Sequence, residues 1–578
     1  MKLIFSILLL AVVILVFQAA GGYGIINLDD VIYLKFRAGQ YGLNWAFTWV
    51  GDGMWVPLTW ISYWADRSVF GENWGRYHWH NIVLHSLSAV ALFLFLTEVF
   101  AVKSKRALIV VALGTLVWAI HPLRVESVVW LASRKDCIST LFFILALLTW
   151  ARAKNRVGYF LSLALVCVAA LGKSSVMVFP AFVIAIDYLI LARPSPAWAY
   201  LTASLLAIGL AVEAAWAQNK GGACFVGTII PFWYKLLNAM AAHTVYAFNH
   251  VVPTRLAVQC QLRYPALPRY SMFGLVLLGL CLYRIYTWGK LCLIKKVVVA
   301  DAVSAGLLIY FVSFIPFLGL FGFGGHSLAD RFTLLPDLGL TIALVSFTIS
   351  MLNKPLSRPL WLTVEICAVG ALALITRQQI RLWADEKSLF GRTIEVDGKC
   401  NLLACDELIQ QYYEADHDFE KIFKTGLLLF NGPGWQQRAA SHLGPILMEA
   451  AYETGHVKEA EDFYFWQLHW GREIVKDLKQ DDPSIGQTET MEFSEIVRLA
   501  YTDEMLNEAR NRLKRFEKNR SENFLYKNLR CILARRGGDR QELKEAISSA
   551  YAPSEEEALH NVWALRLINT KDAERLND

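Results

Sequence analysis

The chain has 578 residues, of which 55% are hydrophobic and only 18% charged, against roughly a quarter charged in ordinary soluble domains. Its mean hydropathy is +0.37 and its net charge only +6. These values exclude an ordinary soluble enzyme, a disordered chain and a nucleic-acid-binding module, and they give no reason to expect a polyanionic partner.

The apolar residues are unevenly spread. Runs of membrane-spanning length recur from residue 1 to about 377, and none follows from about 378 to 578. The expected fold is therefore all-α. A polytopic membrane domain (1–377) precedes a charged, helical, soluble domain (378–578). In chain order the predicted spans are 3–20, 80–101, 107–121, 137–151, 157–172, 175–192, 198–217, 271–288, 297–320, 334–352 and 360–377. A further apolar stretch, 232–252, carries Lys235, Asn238, His243, Asn249 and His250 and reads as re-entrant or interfacial.

Charge sets the orientation. Basic residues cluster at Lys103, Lys105 and Arg106, at Arg152, Lys154 and Arg156, at Arg193, at Lys290, Lys295 and Lys296, and at Lys354 and Arg358. The positive-inside rule makes these loops cytoplasmic. They alternate correctly with eleven spans, an inside N-terminus and 232–252 not crossing. The loop 22–78 and the C-terminal domain then lie outside, which in a bacterial inner membrane is the periplasm. The first segment also has the look of a signal peptide, with Lys2, an apolar core and Ala19-Ala20-Gly21. A retained anchor is the expectation. Ten cysteines form no CxxC pair. Cys400 and Cys405 are poorly spaced for a bridge on a helix.

Three outside segments carry unusual polar content. After span 1, Asp29 and Asp30 are adjacent at the membrane surface. Like charges beside lipid resist joint ionisation, which raises one pKa and suits a general base. A solvated helix N-terminus would look the same. After span 3, His121, Arg124, Glu126, Arg134, Lys135 and Asp136 fall within sixteen residues. Such cations next to lipid suit a lipid-linked phosphate. Interfacial snorkelling is the plainer reading. Lys173 is another outside cation. Before span 10, Asp330 and Arg331 form either a simple ion pair or a phosphate or sugar contact. His78, Asn81 and His85 share one helix face, where a hydrogen-bonded packing face is expected over a metal site. Gly319–Gly325 reads as a flexible turn and not a phosphate loop, because no strand precedes it.

Taken together, these stretches resemble the GT-C class of integral-membrane glycosyltransferases. The closest likeness is to bacterial relatives of the transmembrane-and-tetratricopeptide O-mannosyltransferase family. The carrying residues are Leu28-Asp29-Asp30, Trp55-Val56-Pro57-Leu58-Thr59, Tyr77 to His85, His121 to Val128, Trp130 to Asp136, Leu171-Gly172-Lys173-Ser174, Asp187-Tyr188, Ala329 to Pro336 and Arg381-Leu382-Trp383. They cover roughly residues 25–395. The chain departs from the pattern at Val56, where a basic residue is usual, and at Phe332 and Leu334, which replace Tyr.

The resemblance implies an inverting transfer of a sugar, mannose in the family's eukaryotic members, from a polyprenyl-phosphate donor to a hydroxyl of a protein or envelope glycan. It implies Asp29 or Asp30 as base, with Glu126 as a further catalytic residue. It implies His121, Arg124, Arg134, Lys135, Lys173, Asp330 and Arg331 around the donor phosphate and sugar. Trp55 and His78 would lie on the acceptor side. The cofactor requirement stays open: Glu126 and His121 could place a divalent ion as readily as the sugar. The partners implied are the lipid-linked donor, the acceptor and the bilayer, with no nucleic acid. The C-terminal domain is expected to hold degenerate tetratricopeptide-like hairpins, clearest at Ala451 to Tyr464, or else a plain helical bundle. Two competing functions are a non-catalytic scaffold and a lipid-linked-sugar transporter. The second is disfavoured because the ionisable clusters sit at helix ends rather than at midplane.

Overall fold

The fold was analysed in a computed structural model, which describes residues 1–36, 43–50, 53–220, 232–258, 268–295, 301–318, 328–352, 358–397, 402–432, 443–477, 485–502, 505–515, 524–538 and 541. The Gly-rich stretch 319–327, with His326, lies outside the described residues, as do Lys296, Lys354 and Cys400. Among the described residues the fold is all-helical, without an extended strand. The chain divides into two compact units, Met1–Leu389 and Phe390–Asp578.

The helices of the first unit are α1 (Lys2–Phe17), α2 (Leu43–Thr48), α3 (Pro57–Phe70), α4 (Trp74–Val99), α5 (Lys105–Ala119), α6 (Val125–Val129), α7 (Arg134–Arg152), α8 (Arg156–Ala170), α9 (Phe179–Ala185), α10 (Ala197–Lys220), α11 (Phe232–Val251), α12 (Pro268–Lys295), α13 (Ala302–Ser313), α14 (Pro336–Leu352) and α15 (Arg358–Leu382). Several begin where the sequence supplies a cap. Ser104 accepts from the Ala107 N–H at 3.1 Å, Asn155 from Gly158 at 3.1 Å and Asp301 from Ser304 at 3.1 Å.

Every predicted span is helical at its core, and so is 232–252. Among the described residues, five helical stretches are long and apolar enough to cross a membrane, or six if α5 and the bent stretch Pro122–Val129 count as one. Others, such as 156–170 and 302–317, are shorter apolar helices, and the helices holding 137–151 and 232–252 fall in neither group. Exposure separates two kinds of long helix. The apolar window of α4 is 67% buried, whereas those of α10, α12 and α15 are each 11% buried. On α10, Leu201, Leu205, Ile208 and Val212 are all exposed. A water-facing surface does not carry such a continuous apolar face, and lipid accepts it. These helices are compatible with a membrane protein.

Inside the unit, small residues let backbones meet. α13 and α14 approach each other at Gly306 and Gly339, where a methyl added to either residue would collide with the other's carbonyl oxygen. We expect Gly306→Ala to cost about 1–3 kcal/mol through overpacking. Thermal unfolding in detergent will show the loss as a lowered midpoint.

The second unit has its own core, including Ile409, Ile422, Leu447, Ala460, Phe463, Ile496, Leu513 and Leu533. Helices Gly444–Glu453 and Val457–Asp477 form a hairpin. Its turn depends on Gly455, whose φ is +80°, a conformation costly for other residues. The His456 N–H donates to Ala451 O at 2.8 Å and closes the turn. Cys405 is buried in this core.

Candidate functional site

The segment between α5 and α7 departs from expectation. The sequence predicts an outside loop here, whereas Ile120 to Asp136 is buried throughout. The chain bends by 54° between α5 and the helical stretch Pro122–Val129. Irregular backbone inside a bundle requires partners for its polar groups, and side chains from other helices provide them. Tyr63 Oη donates to Leu131 O at 2.7 Å, His85 bonds Ala119 O at 2.8 Å and Thr376 Oγ1 donates to Ile120 O at 2.6 Å. Asn81 Nδ2 lies 3.3 Å from Val128 O and 3.4 Å from Trp130 O.

Asp30 belongs to the same scaffold. It is buried, and its two oxygens accept from the Ala132 N–H at 2.7 Å and the Ile26 N–H at 3.3 Å. It therefore ties the chain after α1 to the bend. Burial pushes its pKa up to about 7, the neighbouring Asp29 adds to the rise, and the two N–H bonds oppose it. An acid whose pKa rises on folding lends stability that is full below its unfolded value of about 3.9 and is lost as pH rises through the folded value. We expect thermal midpoints of the wild type to fall between pH 5 and pH 8 relative to those of Asp30→Asn. Parallel pH profiles would show that Asp30 does not titrate there.

Several residues expected at the donor phosphate are instead engaged within the protein. Arg134 is fully buried and directs its donors to Asp66, to Asn81 Oδ1 at 2.8 Å and to Tyr77 O at 2.9 Å. It ties α3, α4 and α7 together, and no N–H faces outward for a phosphate. Arg124 is likewise fully buried, bonded to Asp337 of α14 and to Thr333 just before that helix. His121 accepts from the Leu123 N–H at 3.2 Å and bonds His250 O at 3.2 Å. His78 is buried, with Nε2 2.9 Å from Gly24 O, so it packs the chain after α1 instead of meeting an acceptor. Trp55 is half-buried and donates to Phe47 O at 3.0 Å. Asp330 and Arg331 do not pair with each other. Arg331 forms a buried ion pair with Glu126, whose other oxygen accepts the Arg331 N–H at 3.0 Å. Asp330 lies beside this pair. Burial, reinforced by the Glu126 charge, holds its carboxyl well above the usual range.

Arg134→Lys is expected to destabilise the protein strongly. Lys cannot supply the fork that reaches Asp66, Asn81 and Tyr77 together. Breaking such a buried network costs about 3–5 kcal/mol. The loss should appear as a lowered midpoint, with the remaining folded fraction active.

What remains is a small set. Asp29 is half-buried next to Asp30 and interacts electrostatically with Lys135 and Arg331. Lys173 donates to Asp136 Oδ1 at 2.6 Å. Its ammonium also lies 5.5 Å and 5.8 Å from the rings of Phe317 and Phe332. Lys135 is only 5% exposed, yet no described carboxylate lies within contact distance of its ammonium. It sits 5.3 Å from the Tyr33 ring and 5.9 Å from that of Trp130. Arg331 also lies over Trp130, at 5.2 Å, and Trp130 faces Trp383 at 6.2 Å. Two cations, one half-buried acid and a wall of aromatic rings thus share one end of the bundle.

Sequence reasoning did not single out Tyr33, Trp130, Asp136 or Trp383 as a wall around these charges. The runs that contain Trp130, Asp136 and Trp383 were the available signal. No group of three or more His, Cys, Asp or Glu side chains suited to a metal occurs among the described residues. No family model, curated protein or solved structure matches this chain.

Proposed function

We propose that the protein is an inverting glycosyltransferase of the GT-C class. It moves a sugar from a polyprenyl-phosphate donor to a hydroxyl of a protein or envelope glycan. The carrying observation is Lys135, a buried cation with no carboxylate in contact among the described residues, lying within the electrostatic reach of half-buried Asp29. A buried charge without a partner costs several kcal/mol. A site that binds an anion during its working cycle gives that cost a purpose.

In this reading Lys135 and Lys173 hold the donor phosphate. Asp29 takes the proton of the acceptor hydroxyl. The hydroxyl oxygen attacks the anomeric carbon, and the bond from that carbon to the phosphate oxygen breaks. The electron pair leaves with polyprenyl phosphate, and the configuration inverts. Fixed cations stabilise charge that builds on the leaving phosphate. Trp130 and Trp383 offer rings against which a sugar can lie. Arg331 and Glu126 neutralise one another and stiffen the wall.

The topology that suits this chemistry has eleven spans in an inner membrane. The Asp29 end and the C-terminal unit lie on the periplasmic side. That unit is a set of degenerate tetratricopeptide-like hairpins of the kind that binds proteins. The test is incubation of the purified protein with a panel of radiolabelled polyprenyl-phosphate sugars. Release of polyprenyl phosphate from one donor supports the reading, and inertness toward all of them with an acceptor mixture present rejects it.

A further inference from the structure

The chain that follows α1 is irregular from Tyr23 to Leu28 and becomes helical again at Asp29. Irregular backbone has no ladder of its own, so its place is set by the partners of its polar groups. His78 of α4 lies 2.9 Å from Gly24 O. The Ile26 N–H donates to one oxygen of Asp30, whose other oxygen holds the Ala132 N–H. The Leu28 N–H donates to Ile26 O at 2.7 Å. The Asn27 N–H, just ahead of Asp29, donates to Glu386 Oε1 at 3.2 Å, across 359 residues of sequence.

Glu386 reaches this strap from a tight corner. α15 ends at Leu382, and the next helix runs Glu386–Asp397. In the corner the Trp383 N–H donates to Ile380 O at 3.0 Å and the Ala384 N–H to Arg381 O at 3.2 Å. Asp385 caps the new helix, accepting from the Ser388 N–H at 2.8 Å and from Ser388 Oγ at 2.9 Å. The capping role is thus filled, and the Glu386 carboxylate is directed to Asn27 instead. One corner therefore carries Trp383 of the aromatic wall and the acid that holds the strap. We propose that Glu386 is a positioning residue for Asp29. It fixes Asn27 on one side while Asp30 is fixed to Ala132 on the other. Only Leu28 and Asp29 lie between these two points, and the Asp29 carboxylate is kept facing Lys135 and the acceptor hydroxyl. The helix dipole alone also favours an acid in a first turn, but it places no demand on Asn27. The hold on Asn27 stands by itself, and its consequence for the rate rests on the proposed role of Asp29 as base.

The two halves are tested separately. Purified full-length protein in detergent is exchanged into deuterated water, and uptake at the Asn27 amide is located by fragmentation mass spectrometry. A peptide from α13 reports global opening. Uptake at Asn27 in the wild type as fast as in an unstructured peptide would overturn the bond, whatever the variants do. We expect E386M, which keeps the bulk but has no oxygen acceptor, to speed uptake at Asn27 about tenfold with α13 unchanged, because a hydrogen bond to a charged group is worth that much. E386Q should stay within about threefold of wild type, since its amide oxygen still accepts from Asn27. If E386M does not fold, E386A decides. Unchanged uptake in a folded variant would overturn the positioning role. Uptake in E386Q as fast as in E386M would trace the effect to the helix dipole and overturn it as well.

In the transfer assay E386M should lower kcat about tenfold to a hundredfold and leave the donor KM within about twofold, because a displaced base costs rate and not binding. E386Q should restore kcat. A raised KM with kcat held would place Glu386 at the donor and overturn its link to Asp29. An unmoved kcat in a variant whose Asn27 amide has been loosened would overturn the catalytic consequence. A wild type inert toward every donor would instead reject the proposed activity, while the exchange result would still decide the hold on Asn27.

Discussion

Asp29→Asn is expected to abolish sugar transfer while leaving a folded protein, and Asp30→Asn to weaken the fold while leaving transfer in the folded fraction. The two carboxylates are adjacent in sequence but differ in surroundings. Asp30 has both oxygens occupied by backbone N–H groups of Ala132 and Ile26. Asparagine at that position keeps one acceptor and turns a donor toward the other N–H, a loss of about 1–3 kcal/mol. Asp29 is half-buried and shares the electrostatic environment of Lys135 and Arg331. Removing a general base lowers the rate by about 10²- to 10⁴-fold. The measurements are kcat with a labelled donor and the thermal midpoint, taken on both variants. Full activity in Asp29→Asn would remove it from the chemistry, and the scaffold function would then gain ground.

Lys135→Met should make the protein more stable and the enzyme worse. The ammonium is almost wholly buried over Tyr33 and Trp130. Exchanging a buried charge for an apolar side chain of similar length is often stabilising, by about 1–4 kcal/mol. The same exchange removes a charge-assisted contact to a phosphate, worth about 1.5–3 kcal/mol, or a rise in donor KM of roughly tenfold to a hundredfold. A structural lysine would give the opposite pair of results, with a lowered midpoint and an unchanged KM. The combination of a raised midpoint and a raised KM is therefore diagnostic of a residue kept for function at the expense of stability.

Helical content and the two-part division were legible because spanning-length apolar runs stop near residue 377. The helix starts after Ser104, Asn155 and Asp301 depend on local caps that hydropathy runs do not register. The site was legible only as a pool of charged residues. Arg124, Arg134 and Lys135 look alike in sequence, and what separates them lies far away in the chain. Arg134 meets Asp66 of α3, Arg124 meets Asp337 of α14, and Lys135 lies over the rings of Tyr33 and Trp130 with no carboxylate in contact among the described residues. Asp29 and Asp30 could not be told apart for the same reason, since Ala132 distinguishes them.

The bend between α5 and α7 also constrains how the protein is made. Arg124 finds Asp337 213 residues later in the chain, and Glu126 finds Arg331 205 residues later. During synthesis these two buried charges therefore wait, without their partners, through the insertion of most of the membrane unit. The early helices cannot reach their final packing until the stretch around Asp330 to Asp337 arrives. The early helices hold one another through pairs such as Arg134 with Asp66, while the pairs of Arg124 and Glu126 close late in assembly. A chain halted before α14 should be cleared by membrane quality control, although more than half of the protein's length would already be inserted.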